Sequence, residues 1–478
     1  MAAETYKLRV GLLGIGLEAY WSQFAGLEDR LKGYVAEVAN RVSGQGRIVV
    51  NFGLVDTPEK ALATSHACRR EDIDVLLVYC TTYALSAIVL PVIHRARVPV
   101  FLLNIQPEAS LDYARIDTVE DTAHKTGEWL AYCGACPVPE ITNVLQRLEI
   151  PFQQITGVLD SNDVCWKELN GWLRAAEVVH ALQHCRLGLM GHYYSGMLDI
   201  ATDLVQVSGR FGLHIEMLEV DELSALRRAI SDAELKKKRT AFDDFFQIGE
   251  DCSTAELERA ARTSVALDRL VAEKRLNLLA YYYKGSGITE NEDTLSSIIL
   301  AASMLTGNHV PVAGEYEVKN VIAMKIVDLL GAGGSFTEYY ANDFKEDLVL
   351  MGHDGPGHIG IAQGKIRVRP LRVYHGKVGE GLSVEMQVKH GPVTLLSVVD
   401  HKEQGFSFLA AEGESVAGPI LEIGNTNSRY RFPIGLRAFN EQWNAQGPAH
   451  HCAIGVGHIT DKLQKVATLL GMKFTKIC

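Results

Sequence analysis

The feature that most constrains this chain is a change of rhythm at Gly331-Ala332-Gly333-Gly334. Before it, short apolar runs alternate with longer amphipathic stretches; after it, short alternating segments are separated by turn residues. Strands are expected over residues 8–13, 48–55, 74–79, 98–103, 154–159, 187–190, 215–220 and 276–282. Helices are expected over 58–70, 84–96, 166–183 and 254–274. The first of these opens on Thr57 then Pro58, a capping residue followed by proline at the first helical position. Apolar strands alternating with helices argue for parallel sheets covered on both faces. A fresh strand at Leu187, after a long helix, marks a seam between two such sets. Beyond Gly334, strands over 366–373, 382–388, 394–399 and 419–423 predict antiparallel β structure, a barrel or a sandwich. A helix over 461–470 closes the chain.

Charge narrows the partners. With 47 basic against 58 acidic side chains, the net charge is −11, and the basic run Lys236-Lys237-Lys238-Arg239 is short enough to be a solvated helix face. Nucleic acid and anionic membrane surfaces are poor candidate partners. The nine cysteines are odd in number and scattered, several within apolar runs, which is no disulfide framework and suggests a reducing compartment. Cys133-Gly134-Ala135-Cys136 is a lone C-x-x-C without a second pair, a weak signal for redox or zinc chemistry. No signal-peptide-like leader and no bilayer-length apolar stretch is present, so the expected location is cytoplasmic.

Gly14-Ile15-Gly16-Leu17-Glu18-Ala19 follows the first strand and matches G-x-G-x-x-A, a pattern that brings a backbone close to a pyrophosphate. Asp56 lies too far downstream for the ribose-binding acid, and bulky Tyr20 and Trp21 follow directly. The alternative is that this strand end lines a ligand crevice, where Trp21 stacks on a sugar face.

Four side chains of metal-ligand type occupy contexts where a structural role is hard to supply: Glu315, Glu338, His353 and His451. Glu315 is expected to open a helix over 315–330, at the positive end of the macrodipole, which favours its ionised form. Glu317, two residues on, should point elsewhere, to the surface or behind the ligands. A strand over Ser335-Phe336-Thr337-Glu338-Tyr339-Tyr340 puts Glu338 on one face with Phe336 and Tyr340. A carboxylate between aromatics is costly to bury unless paired or metal-bound, and its pKa tends to rise. His353 ends an apolar strand and precedes Asp354-Gly355-Pro356-Gly357-His358, a loop open to ligand approach. His450 and His451 enter a strand in which neighbours face opposite ways, so only one should ligate directly. Two carboxylates and two imidazoles suit manganese and similar divalent ions, and two carboxylates can move a proton between adjacent carbons. The expectation is a metal-assisted isomerase, with Glu315 and Glu338 as its catalytic pair.

The wording around these residues resembles the L-arabinose isomerase family, within the L-fucose/L-arabinose isomerase superfamily. The strongest block is Gly333-Gly334-Ser335-Phe336-Thr337-Glu338-Tyr339-Tyr340 with Asp347-Leu348-Val349-Leu350-Met351-Gly352-His353. Ala313-Gly314-Glu315 with Lys319, Gly447-Pro448-Ala449-His450-His451 and Asp121-Thr122-Ala123-His124 are similar to further family segments. The resemblance implies an α/β chain of two Rossmann-like domains, residues 1–184 and 185–330, followed by a C-terminal antiparallel β-barrel, 331–478. It implies a manganese-dependent aldose–ketose isomerase, other divalent ions being possible, with Glu315, Glu338, His353 and His451 as ligands. His124, His450 and Trp21 would contact the sugar. A homo-oligomer, trimer-based or hexameric, is implied, with His124 contributed to a neighbouring subunit's site.

This chain also departs from the family. Gly14–Tyr20 and Asp354–Gly357 replace family segments, which argues against L-arabinose itself as substrate. Arg429-Tyr430-Arg431, read as part of a loop, offers a partner for an anionic sugar. Two rival readings remain: an NAD-dependent sugar oxidoreductase, on the strength of Gly14-x-Gly16, and a non-catalytic sugar-binding protein on the isomerase fold.

Overall fold

Runs of apolar residues buried on both faces build the first sheet. The computed structural model describes residues 7–160, 162–371 and 379–478. The chain divides into two compact units, residues 2–180 and residues 181–478.

The first unit holds a five-stranded parallel sheet in the order Ile48–Val55, Arg9–Ile15, Val75–Cys80, Val100–Gln106, Phe152–Val158. The strand Val75–Cys80 is buried at every residue, as a central strand covered on both faces requires. The expected helix 58–70 is present as Pro58–Arg70, with the Thr57 hydroxyl accepting from the Lys60 N–H at 3.2 Å. Chain order reverses between the strands Arg9–Ile15 and Val75–Cys80, the place where open α/β sheets form a ligand crevice. The G-x-G segment does not open a long helix. A single 3-10 turn, Glu18–Tyr20, follows it, and the α-helix begins only at Leu27.

The second unit begins with a four-stranded parallel sheet in the order Val312–Ala313, Leu278–Tyr282, Arg186–Gly191, His214–Leu218. It ends in a closed barrel of six antiparallel strands. Around the barrel these are Gly391–His401, His451–Val456, Gly333–Asp343, Leu348–His353, Thr426–Arg431 and Gly405–Val416, the last pairing back to the first. Closure removes the free strand edges that an open antiparallel sheet would leave. Between sheet and barrel runs the helix Val318–Leu329, buried along nearly its whole length. Gly334 lets the barrel approach it: a Cβ there would lie 2.5 Å from the Met324 carbonyl oxygen.

Three expectations need correction. The strands Arg367–Leu371 and Gly381–Glu385 stay outside the barrel and pair with Gln247–Ile248 in a separate three-stranded sheet; residues 372 and 373 of the expected strand lie outside the described residues. Residues 419–423 form no strand, and the barrel uses Thr426–Arg431 instead. That strand contains Arg429 and Arg431, which the sequence had placed in a loop. The nine cysteines are all free thiols.

Candidate metal centre

Antiparallel register assembles most of the site. Glu338 stands in the middle strand of three, opposite Gly352 on one side and His451 on the other. His353 ends the strand that carries Gly352. Phe336, on the same strand face as Glu338, packs beneath both imidazoles, with ring centroids 4.2 Å from His353 and 4.5 Å from His451. Alternation along the strand thus gives the ligands a rigid apolar floor.

Glu315 arrives from the parallel sheet. It is not in the first turn of the helix, which starts at Val318. Glu315 and Tyr316 are both left-handed, with φ of 59° and 63°. The turn is held by the Tyr316 N–H donating to the Tyr281 carbonyl at 2.9 Å and the Glu317 N–H to the Gly314 carbonyl at 3.0 Å. Its effect is to swing the carboxylate of Glu315 over the barrel strands. Glu315 Oε2 lies 3.2 Å from His451 Nε2 and 3.8 Å from His450 Nε2, while Oε1 lies 3.9 Å from His353 Nε2. The ligand atoms of Glu315, His450 and His451 all fall within 4.8 Å of one another, as do those of Glu338, His353 and His451. His451 belongs to both groups, so the two share one centre.

Glu317 takes the second of its two expected places, behind a ligand. It is fully buried, and its Oε2 lies 3.4 Å from His451 Nδ1. A carboxylate behind an imidazole fixes the ring's orientation and raises its basicity toward whatever the other nitrogen holds. His353 is fixed from behind as well. The Gly355 N–H donates to its Nδ1 at 2.7 Å, and Asp354 Oδ1 stands 3.5 Å from the same nitrogen. In that arrangement a neutral ring carries its proton on Nε2.

The electrostatics describe a pocket built for positive charge. Burial pushes the Glu315 carboxyl up, but His450, His451 and His353 outweigh it and hold the group well below the usual carboxylate range. Burial alone would strip His451 of its proton, yet Glu315 and Glu317 together lift it to about 9. Glu338 goes the other way, raised by burial and by the charge of Glu315 although His451 opposes the shift. Glu315 Oε2 and His451 Nε2 are buried and face each other without the alignment of a hydrogen bond. A buried ion pair without a well-aligned hydrogen bond calls for a physical account, and an ion held between the two atoms is one. One buried and one half-buried carboxylate with two buried imidazoles fit a divalent cation of the manganese type.

His358 is buried beside Asp328, Nε2 to Oδ1 at 3.8 Å, rather than with the ligands. Trp21 and His124 belong to the 2–180 unit. The Trp21 indole N–H donates to Asp56 at 2.8 Å, and its ring covers Gly16 so closely that a Cβ there would lie 2.9 Å away. That ring takes up the space a pyrophosphate would need at the glycine turn. His124 projects from the helix Thr122–Leu130, 64% exposed, with Nε2 3.9 Å from Glu128. Arg429 is engaged by Glu346 and by the Ala417 carbonyl, so it offers no argument for an anionic substrate.

The comparisons with known proteins support an enzyme of the aldose–ketose isomerase class, an intramolecular oxidoreductase. Residues 333–473 match the L-arabinose isomerase C-terminal domain family. The chain is 24% identical over 448 residues to the L-arabinose isomerase of Nocardioides sp., covering 89% of this chain and 85% of that protein. It is 21% identical over 462 residues to the L-arabinose isomerase of Vibrio parahaemolyticus, covering 90% and 86%. Over about nine-tenths of its length the chain is thus similar to L-arabinose isomerases at low identity, and its C-terminal part matches the family's own domain.

Proposed function

We propose that this chain is a metal-dependent isomerase that moves a monosaccharide's carbonyl between C1 and C2 through a cis-enediol. The observation that carries the reading is the convergence of Glu315, Glu338, His353 and His451, whose ligand atoms fall in two close groups that share His451. The donor set suits manganese, and cobalt, iron or magnesium would be held by the same residues. Such an ion, when bound, supplies Lewis-acid polarisation of the sugar's two reacting oxygens. The carboxylates do the proton work. One of Glu315 and Glu338 takes the proton from C2 and delivers it to C1, while the other passes a proton between the oxygens. Phe336 packs beneath both imidazoles and covers one side of the centre with an apolar ring.

The substrate we propose is an aldose other than L-arabinose. Metal chemistry at C1 and C2 is common to many aldoses, so discrimination falls to groups that contact C3 and beyond. Those are the segments where this chain departs from the family wording, Gly16–Trp21 and Asp354–His358. The proposed assembly is a homo-oligomer in which His124 serves a neighbouring subunit.

The test is a screen of pentoses, hexoses and deoxy-sugars with added manganese, reading ketose formation and exchange of the C2 proton with solvent. Glu315→Gln and Glu338→Gln are each expected to lower turnover by at least about 10²-fold while the fold persists. Near-normal turnover by both variants would overturn the mechanism. Turnover of L-arabinose above every other sugar would overturn the substrate reading. Purified protein that carries a dinucleotide and no metal would overturn the function as a whole.

A further inference from the structure

His450 is held differently from its neighbour. The His451 side chain has no exposed surface, whereas that of His450 is 36% exposed and so lies on the open side of the centre, from which a substrate must arrive. Its Nδ1 lies 2.6 Å from Asp199 Oδ2, and its backbone N–H donates to the same oxygen at 3.0 Å. A carboxylate at Nδ1 keeps a proton on that nitrogen. Nε2 is then the nitrogen left for exchange with a substrate oxygen, and it stands 3.8 Å from Glu315 Oε2.

Asp199 sits in a single 3-10 turn, Leu198–Ile200, which has little structure of its own to fix it. The helix after Glu315 supplies the fixing. Lys319, buried in its first turn, donates Nζ to the carbonyl oxygens of Asp199 at 2.6 Å and of Ala201 at 3.3 Å. The path from Glu315 through Lys319, Asp199 and His450 therefore closes on Glu315 again. Tyr193, a few residues before the turn, packs edge-on against Tyr316 with centroids 4.8 Å apart, a second tie between the same two segments.

We propose that Asp199 is a positioning residue for the isomerisation, holding His450 so that Nε2 meets a hydroxyl or carbonyl oxygen of the open-chain sugar beside Glu315. The proposal deepens the isomerase reading and rests on it. It also assigns the segment around Asp199 a part in a centre built by the barrel strands and the turn at Glu315.

Crystals of manganese-soaked wild type and Asp199→Ala decide the positioning without reference to turnover. The His450 ring is expected to leave its place in the variant, and a ring that stays put overturns the proposal. Kinetics then ask whether the position matters. Asp199→Ala should lower kcat by about 10-fold or more with little change in KM or manganese content, and Asp199→Glu should restore part of the loss. In a His450→Ala background the same substitution should cost nothing further, because the two residues act as one unit. Equal losses in both backgrounds would mean that Asp199 acts through the fold rather than through His450, and would overturn the proposal. If wild type turns over no aldose at all, the isomerase reading fails, while the ring position still decides the placement of His450.

Discussion

Glu338, His353 and His451 each stand in or at the end of an apolar strand, where a charged or titratable group needs a partner. Glu317 and Asp199 carry no such local signal. Helical spacing left Glu317 either at the surface or behind the ligands, and the left-handed turn at Glu315 and Tyr316 brings it behind His451. Asp199 reaches His450 across 251 positions of sequence, a separation no local pattern encodes. The burial of Glu317 leads to a prediction. Its Oε2 faces His451 Nδ1 and its Oε1 has no hydrogen-bond partner, so its work is to orient that imidazole. Glu317→Ala should weaken manganese binding by about 10- to 100-fold, the usual cost of losing a carboxylate behind a metal-binding histidine. Titration of free manganese by electron paramagnetic resonance measures it, with circular dichroism to show that the variant is folded. Unchanged affinity would remove Glu317 from the centre.

Elements were legible where local signals and burial agree. The helices Pro58–Arg70 and Thr254–Lys274 have the bounds that periodicity and caps gave them. The helix expected at Glu315 began three residues late because long-range hydrogen bonds, such as Tyr316 to the Tyr281 carbonyl, override the local preference. Two consecutive non-glycine residues with positive φ cost about 1–3 kcal/mol each, and such strain persists where function holds it. The helix Asp232–Phe245 offers a cleaner local test. Ser231 caps it, and Glu234 returns the bond, accepting from the Ser231 hydroxyl at 2.6 Å and its N–H at 3.1 Å, with Arg269 alongside. These partners, Ser231 foremost, lower the Glu234 carboxyl from 4.5 to about 2. A lowered carboxylate stabilises the fold fully above its ordinary value and loses that contribution as pH falls through the lowered one. Glu234→Gln should therefore reduce the urea midpoint at neutral pH, and the gap from wild type should close between 4.5 and about 2. An equal gap at both ends of that range would show that the carboxylate's charge is not what matters.

At the scale of the whole molecule, the change of rhythm at Gly331–Gly334 marked where parallel sheets give way to the barrel, because strand period and turn chemistry are properties of sequence. Which strands close the barrel was not legible. Arg367–Leu371 and Gly381–Glu385 alternate as barrel strands would, but they pair with each other, and Arg367–Leu371 pairs on its other edge with Gln247–Ile248, a partner far away in sequence. Assembly is the remaining question at this scale. His124 stands 64% exposed on its helix in the 2–180 unit, near Glu128, which Arg30 and Arg115 anchor. An exposed imidazole on an anchored surface is available to a second copy of the chain. The family wording of Asp121-Thr122-Ala123-His124 supports the proposal that His124 completes a neighbour's centre. Under that proposal, His124→Ala and Glu338→Gln damage different halves of one composite site. Each homo-oligomer should then be nearly inactive, while co-expressed mixed oligomers regain activity wherever an intact His124 faces an intact Glu338. Sedimentation would establish the assembly, and ketose formation by the mixture would report the sharing. A monomer that stays active on dilution, or a mixture no better than its parents, would place His124 outside the reaction.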